Sequence, residues 1–211
     1  MLTSRGPLTV RVQRDVPKYR GATAVSDGDG THERPLLFVL LACHADMADD
    51  ASIDTTERAT RGLAETVLAR LKYQQGTVGQ VLQSTNADAV NTGRYYSIVA
   101  GRLTLSHVII AALGAVDVTL VSTNVRKAIV TPNVVRVGEF TILDASFGIG
   151  FKKDAVNERE FDLSGDERML LIIGENGVSI GSRPPCLDAE AFIEDVVNLA
   201  HVSLPIVALM G

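Results

Sequence analysis

Tryptophan is absent from the chain, and aromatic residues make up only 5% of it. With 46% hydrophobic residues there is material for a sizeable core, so that core has to be built from Val, Leu, Ile and Ala. Only two cysteines occur, Cys43 and Cys186, which excludes a disulfide framework. Both lie in or beside apolar runs and are expected to be buried thiols of a protein in a reducing cytoplasm. No basic run is present and the net charge is −5, which argues against a nucleic-acid footprint. Long hydrophobic runs are missing too. The longest, HVIIAALGAVDVTLVST (107–123), is interrupted by Gly114 and Asp117. It falls short of the roughly 20 apolar residues that a membrane span needs, and two strands joined near Gly114-Ala115 are expected instead. The opening MLTSRGPLTVRVQRD lacks the apolar centre of a signal peptide, so no leader is expected. There is no repeat, low-complexity stretch or linker. A single domain over 1–211 is therefore expected.

Hydrophobic periodicity places the elements. LTVRVQR (8–14) alternates as a first strand, and GATAVSDGDGTHERP (21–35) starts extended and becomes a Gly/Asp loop. LLFVLLAC (36–43) is continuously apolar and is expected to be a strand buried on both faces, followed by an acidic loop, HADMADDAS. A helix is predicted over 55–73, capped by Asp54 and Glu57, with Ala59, Leu63, Val67, Leu71 and Leu68 as its apolar stripe. A second, over 77–91, should bury Val78, Val81, Leu82, Thr85 and Ala89. Strands are predicted at 95–101, 107–113, 117–123, 127–132, 134–140, 159–163 and 168–174. A helix over 187–200, capped by Asp188, and a strand over 203–210 close the chain. Strands around two central helices, with a late helix and strand, imply an α+β fold: a four-layer α-β-β-α sandwich of two mainly antiparallel sheets with helices outside.

This order resembles the type 2C, metal-dependent serine/threonine protein phosphatase family in its short bacterial form. The resemblance covers about 8–210. LLFVLLACHADM stands where the family has an apolar strand ending in Asp-Gly-x-Gly-Gly, and ERATRGLAETVLARL is similar to the helix after that motif. VTLVSTNVRKAIV resembles a strand-turn-strand that usually carries Gly-Asp-Ser-Arg; Asn124 takes the Asp position and Arg126 keeps the Arg. FDLSGDERMLLIIGENGV resembles the segment in which a Pro-Gly-Asp turn, here Ser164-Gly165-Asp166, leads into a strand ending in Thr/Ser-Asp-Gly.

The family holds two Mg²⁺ or Mn²⁺ ions with Asp side chains. Hard divalent ions need oxygen ligands, several of them anionic, and the metal pair activates water and clamps phosphate. On the resemblance, the first of these Asp positions falls on Thr23, the Asp-Gly pair on Ala42-Cys43, the third on Asn176 and the last near His201 or Val202. The four vestigial metal positions Thr23, Ala42, Asn176 and His201 are all neutral. The N-terminal phosphate-binding Arg has only Arg11 and Arg14 as candidates. The resemblance thus implies an inactive, cofactor-free, phosphatase-like domain, a pseudophosphatase that binds a protein partner or regulates one. Loops 43–53 and 174–186 are the expected contact regions, with His44, Asp46, Glu175 and Asn176 as candidates.

Two other functions stay open. CHADMADD offers Asp46, Asp49 and Asp50 as relocated Mg²⁺ or Mn²⁺ ligands of an active phosphatase, against a solvated acidic loop leading into a helix. N-terminal-nucleophile hydrolases also stack two sheets between helices, but Thr3 follows Met-Leu and no processing site precedes a strand. SDGDG (26–30) opens like a calcium loop, yet Phe38 stands where the closing Glu belongs. His107 is expected to be a hydrogen-bonded strand histidine. Ser106 and His107 are adjacent and point to opposite faces of a strand, so they form no nucleophile pair.

Overall fold

In a computed structural model of the chain, the structure describes residues 21–104, 107–114, 116–121, 126–130, 134–137, 140–143, 156–162, 168–173 and 206–210. Strand β1 (Gly21–Asp27) pairs antiparallel with β2 (Leu36–Asp46). Helices α1 (Ile53–Tyr73) and α2 (Val78–Ala89) follow, then β3 (Arg94–Leu103) and β4 (His107–Leu113). With β9 (Asn157–Asp162), these strands form a five-stranded antiparallel sheet ordered β1-β2-β3-β4-β9. The remaining strands are β5 (Val116–Val121), β6 (Arg126–Val130), β7 (Val134–Val137), β8 (Phe140–Leu143), β10 (Arg168–Ile173) and β11 (Ile206–Met210). A second sheet is ordered β11-β10-β5-β6, with β10 and β11 parallel, and β7 and β8 form a separate hairpin. The fold is α+β. The expected strand over 8–14 and helix over 187–200 lie outside the described residues.

β2 organises the fold because alternate side chains serve two cores. Leu37, Val39, Leu41 and Cys43 pack under the helices, against Ala64, Val67 and Leu71 of α1 and Val81 and Leu82 of α2. Leu36, Phe38, Leu40 and Ala42 face the other way, into a cluster with Val99, Val108, Ile110 and two β5 residues, Val116 and Val118. The uninterrupted apolar run is thus a strand covered on both faces. Phe38 needs room, and its register partner is Gly101. A Cβ at Gly101 would come within 2.6 Å of the Phe38 ring and of the Ile109 carbonyl.

Both helices begin with a reciprocal cap. Ser52, not Asp54, caps α1: its Oγ accepts from Thr55 N (3.2 Å), and Thr55 Oγ1 accepts from Ser52 N (2.9 Å). The helix starts two residues before the predicted boundary, which puts Asp54 in the first turn, where its charge opposes the helix dipole favourably. Thr77 and Gln80 do the same for α2. The buried stripe of α1 is Thr56, Thr60, Ala64, Val67 and Leu71, while Ala59, Leu63 and Leu68 are only half-buried. Thr60 is tolerated in the stripe because its hydroxyl donates to the Thr56 carbonyl at 2.8 Å. The α2 face is as predicted: Val78, Val81, Leu82, Thr85 and Ala89 are buried.

Most strand limits shift by a residue or two, and two strands depart further from expectation. The predicted strand at 134–140 is two strands, β7 and β8, with Val137 paired to Phe140. The sequence between them, Gly-Glu at 138–139, carries a glycine-containing hairpin signal that the apolar flanks hide. β2 also continues through His44 to Asp46, where a loop was expected, because its neighbour β3 extends to Arg94 and keeps pairing it.

Candidate functional site

The strand ends that the resemblance singles out lie where β1 enters and β2 leaves. Gly21 pairs with Cys43, Ala22 with Ala42 and Thr23 with Leu41. Thr23 and Ala42 are therefore close along the chain ends but one pleat apart, on opposite faces of the sheet. Thr23 shares the helix-facing side with Leu41, whereas Ala42 belongs to the inner apolar cluster, 1% exposed. Cys43 is buried on the helix side and forms no disulfide. Asn176, His201 and Glu175 lie outside the described residues, as do Asn124, Arg11 and Arg14.

The donor chemistry can be tested against the metal pair. A hydroxyl, a methyl, an amide and an imidazole do not fit two hard divalent ions, which need anionic oxygen to repay dehydration. Ala42 contributes no donor atom at all and sits among Leu40, Val99, Val116 and Val118.

Past Ala42 the strand irregularity is local. Cys43 pairs with Tyr96 and Ala45 with Tyr95, so His44 is the extra residue of a β-bulge, and Asp46 pairs with Arg94. Met47 N donates to the Gly93 carbonyl (2.8 Å), fastening the loop to the turn before β3. Of the acidic residues, Asp49 is exposed. Asp50 is occupied: its Oδ1 accepts from Arg94 at 2.8 Å, and its carbonyl accepts from Thr55 Oγ1 and from Ser52 N. Among the described residues no three His, Cys, Asp or Glu side chains gather as a metal-binding group. The two large hydrophobics of this region, Met47 and Ile53, are 75% and 68% exposed.

His107 is hydrogen-bonded, as predicted, but to a pair of carboxylates that sequence reasoning missed. Asp162 is its register partner across β4 and β9, and its Oδ1 lies 3.1 Å from Nδ1; Glu160 Oε1 lies 2.9 Å from Nε2. The bond to Asp162, helped by Glu160, outweighs partial burial and raises the imidazole pKa. The signal was present as alternation, since Glu160 and Asp162 lie two apart on one face of a strand. Nothing local said that β4 would be its neighbour.

SDGDG forms the end of β1 and the loop into β2. Asp27 Oδ2 accepts from Lys72 Nζ at 2.6 Å, a contact that lowers the pKa of Asp27 and raises that of Lys72. Asp29 turns its carboxylate onto the amide and hydroxyl of Thr31 (3.0 and 2.7 Å), an internal loop bond rather than a cation ligand. Beside this loop a cleft of about 320 Å³ opens toward the last turn of α1.

The sequence matches no family profile, and no curated protein is similar to it. Solved structures do match. A serine/threonine phosphatase, Stp1, from Staphylococcus aureus superposes with a TM-score of 0.52 at 12% identity, covering 85% of this chain and 84% of that one. A single-substitution variant of a bacterial serine phosphatase superposes with a TM-score of 0.52 at 10% identity, covering 85% and 87%. At these identities the likeness is one of fold: the chain has a fold similar to that of bacterial type 2C serine/threonine phosphatases. No helix among the described residues is long and apolar enough to cross a membrane.

Proposed function

We propose that this chain is a single phosphatase-like domain, a four-layer α-β-β-α sandwich that has lost its dinuclear metal centre and acts as a cytoplasmic protein-binding or regulatory module. The observation that carries this reading is Ala42. At the strand end where the family that the sequence resembles has an Asp, this chain has a methyl group, 1% exposed within an apolar cluster. On this reading the neutral residues Thr23, Asn176 and His201 extend the same loss. The partner contact is assigned to 43–53, which holds the end of β2 and the loop into α1, and to 174–186. Met47 and Ile53, exposed in or beside the first, supply apolar area among Asp49, Asp50 and Asp54.

The active alternative would recruit Asp46, Asp49 and Asp50. Asp50 is already committed to Arg94, which lowers its availability to a cation. Calorimetric titration with Mn²⁺, combined with turnover of p-nitrophenyl phosphate in Mn²⁺, tests both. The expected result is no saturable heat at micromolar metal and no turnover above background. Saturable heat that disappears in Asp46→Asn, or turnover that does, would replace the proposal with a working relocated site.

A further inference from the structure

The cleft beside the β1–β2 loop lies away from the strand ends discussed above. Leu37, in its wall, is five residues from Ala42 along β2, roughly 17 Å of extended strand. Leu37, Leu71 and Pro35 give it apolar surface, and Arg34, Lys72 and Arg102 bring three cations to it.

Arg102 is the unusual member. Its Nη2 donates to the Leu71 carbonyl at 2.7 Å, in the last turn of α1. Its Nε is buried and has no partner among the described residues, nor does any described carboxylate pair with this guanidinium. A guanidinium with no carboxylate beside it is costly to hold in a partly buried place, and an oxyanion reaching it from the cleft would offset its charge. The acids of the cleft do not offset it. Asp27 is held by Lys72, and Glu33 is an exposed loop residue. With Lys72 paired to Asp27 and Arg34 lying 3.7 Å from Asp29, Arg102 is the cation of the cleft that no described carboxylate pairs with, in a chain whose net charge is −5.

The loop that carries Arg34 is preorganised. Asp29 N and Gly30 N both donate to the Arg34 carbonyl (3.2 and 3.0 Å), and Arg34 N donates to Thr31 Oγ1 (3.1 Å). Gly28 has φ +98°, and a Cβ there would come within 2.1 Å of the Pro35 carbonyl. The Arg34 side chain, by contrast, is 68% exposed and only 3.7 Å from Asp29 Oδ2, a loose pairing that a ligand can displace.

We propose that this cleft binds a small organic oxyanion, a carboxylate or phosphate on a compact apolar body, with Arg102 and Arg34 receiving the oxygens and Leu37, Leu71 and Pro35 the body. The planar guanidinium fork suits either oxyanion. A volume of about 320 Å³ is at the small end of ligand sites, which favours a small molecule over a folded partner. The site is independent of the pseudophosphatase reading, and neither depends on the other.

Calorimetry and thermal melting on the full chain test this with benzoate, phenyl phosphate and, as the neutral probe, benzyl alcohol. Saturable binding of either anion is expected, weakening as salt rises from about 50 to about 500 mM, with no binding of benzyl alcohol. The tighter of the two anions assigns carboxylate or phosphate. Arg102→Lys keeps the charge but removes the fork and should weaken binding by roughly tenfold. Arg34→Gln, at an exposed position, should weaken it by about threefold with an unchanged melting temperature, and it decides the matter if Arg102→Lys does not fold. Failure of both anions to bind wild type at about 10 mM, a binding free energy weaker than about 3 kcal/mol, would overturn the proposal. So would equal binding of benzyl alcohol, or anion binding unchanged in both variants. Arg102 would then be a helix-end donor with water on its Nε.

Discussion

Single side chains link elements that the sequence keeps far apart. Glu158 of β9 places its Oε2 on the Thr77 hydroxyl (2.8 Å) and on Gly79 N (2.9 Å), the orphan donors of the first turn of α2. A carboxylate there also meets the positive end of the helix dipole. Glu158→Ala should cost about 1–2 kcal/mol by urea unfolding, the range for a partly exposed charged hydrogen bond. Gly79→Ala should cost less, because the oxygen within 2.3 Å of its Cβ is the movable end of the Glu158 side chain and Ala favours a helix over Gly by about 1 kcal/mol. An unchanged unfolding midpoint in Glu158→Ala would show that the link carries no stability. His107 gives a pH-dependent effect. Its folded pKa is raised, so the bonds to Asp162 and Glu160 stabilise fully below the unfolded value of about 6.5. That contribution is lost as pH rises through the folded value. The stability gap between wild type and Asp162→Asn should therefore be widest below about pH 6 and close above the ring's titration, as followed by its proton resonances. None of these contacts was legible in the sequence, because each joins residues whose neighbourhood only the strand order creates.

Whole elements were easier to read, where one period or one run dominated. α2 was predicted with its buried face, and β4 with its limits, since Val, Ile and Leu fall at the right spacing and Gly114, with φ +95°, ends the strand. α1 was found, but its face was misplaced. Leucines drew the stripe toward Leu63 and Leu68, while the sheet accepted the smaller Thr60 and Ala64, which let the helix lie close. Its cap was also missed, because Asp54 is the stronger-looking signal and Ser52-Thr55 the one in register. Ser52→Ala should cost about 1 kcal/mol and Asp54→Asn only a few tenths, a ranking that thermal melts of the two variants would check. β10 lies between β11 and β5. Leu171→Ala should then cost about 2–5 kcal/mol, and a wild-type melting temperature would mean that this position contributes little to a core.

For the molecule as a whole, the sequence carried the α+β class and the order of elements along the chain, though not the order of strands within the sheets. The candidate site was legible only as a set of departures. Ala42 is informative because of what surrounds it, and that surrounding was visible as the unbroken run at 36–43. Thr23 was placed one residue out of step with Ala42's face, since pairing register cannot be read from either strand alone. Ala42→Asp should lower stability by about 3–5 kcal/mol, the cost of an uncompensated buried charge. Urea titration with and without Mn²⁺ checks this; recovery in Mn²⁺ would show that further metal ligands stand near position 42.

The two-faced β2 strand also has a consequence before folding is complete. LLFVLLAC contains no charge, no proline and no glycine, and every side chain in it is meant to be covered. In a newly made or heated chain it is a self-associating segment of the kind that seeds intermolecular sheets. Glu33, Arg34 and Pro35 precede it and Asp46, Asp49 and Asp50 follow, gatekeepers that space the hazard without removing it. Its protection rests on β1 and β3, which pair both its edges, and on helices that must arrive from farther along the chain. Refolding yield from urea should accordingly fall with protein concentration, as turbidity would register, even where the folded domain itself stays dispersed.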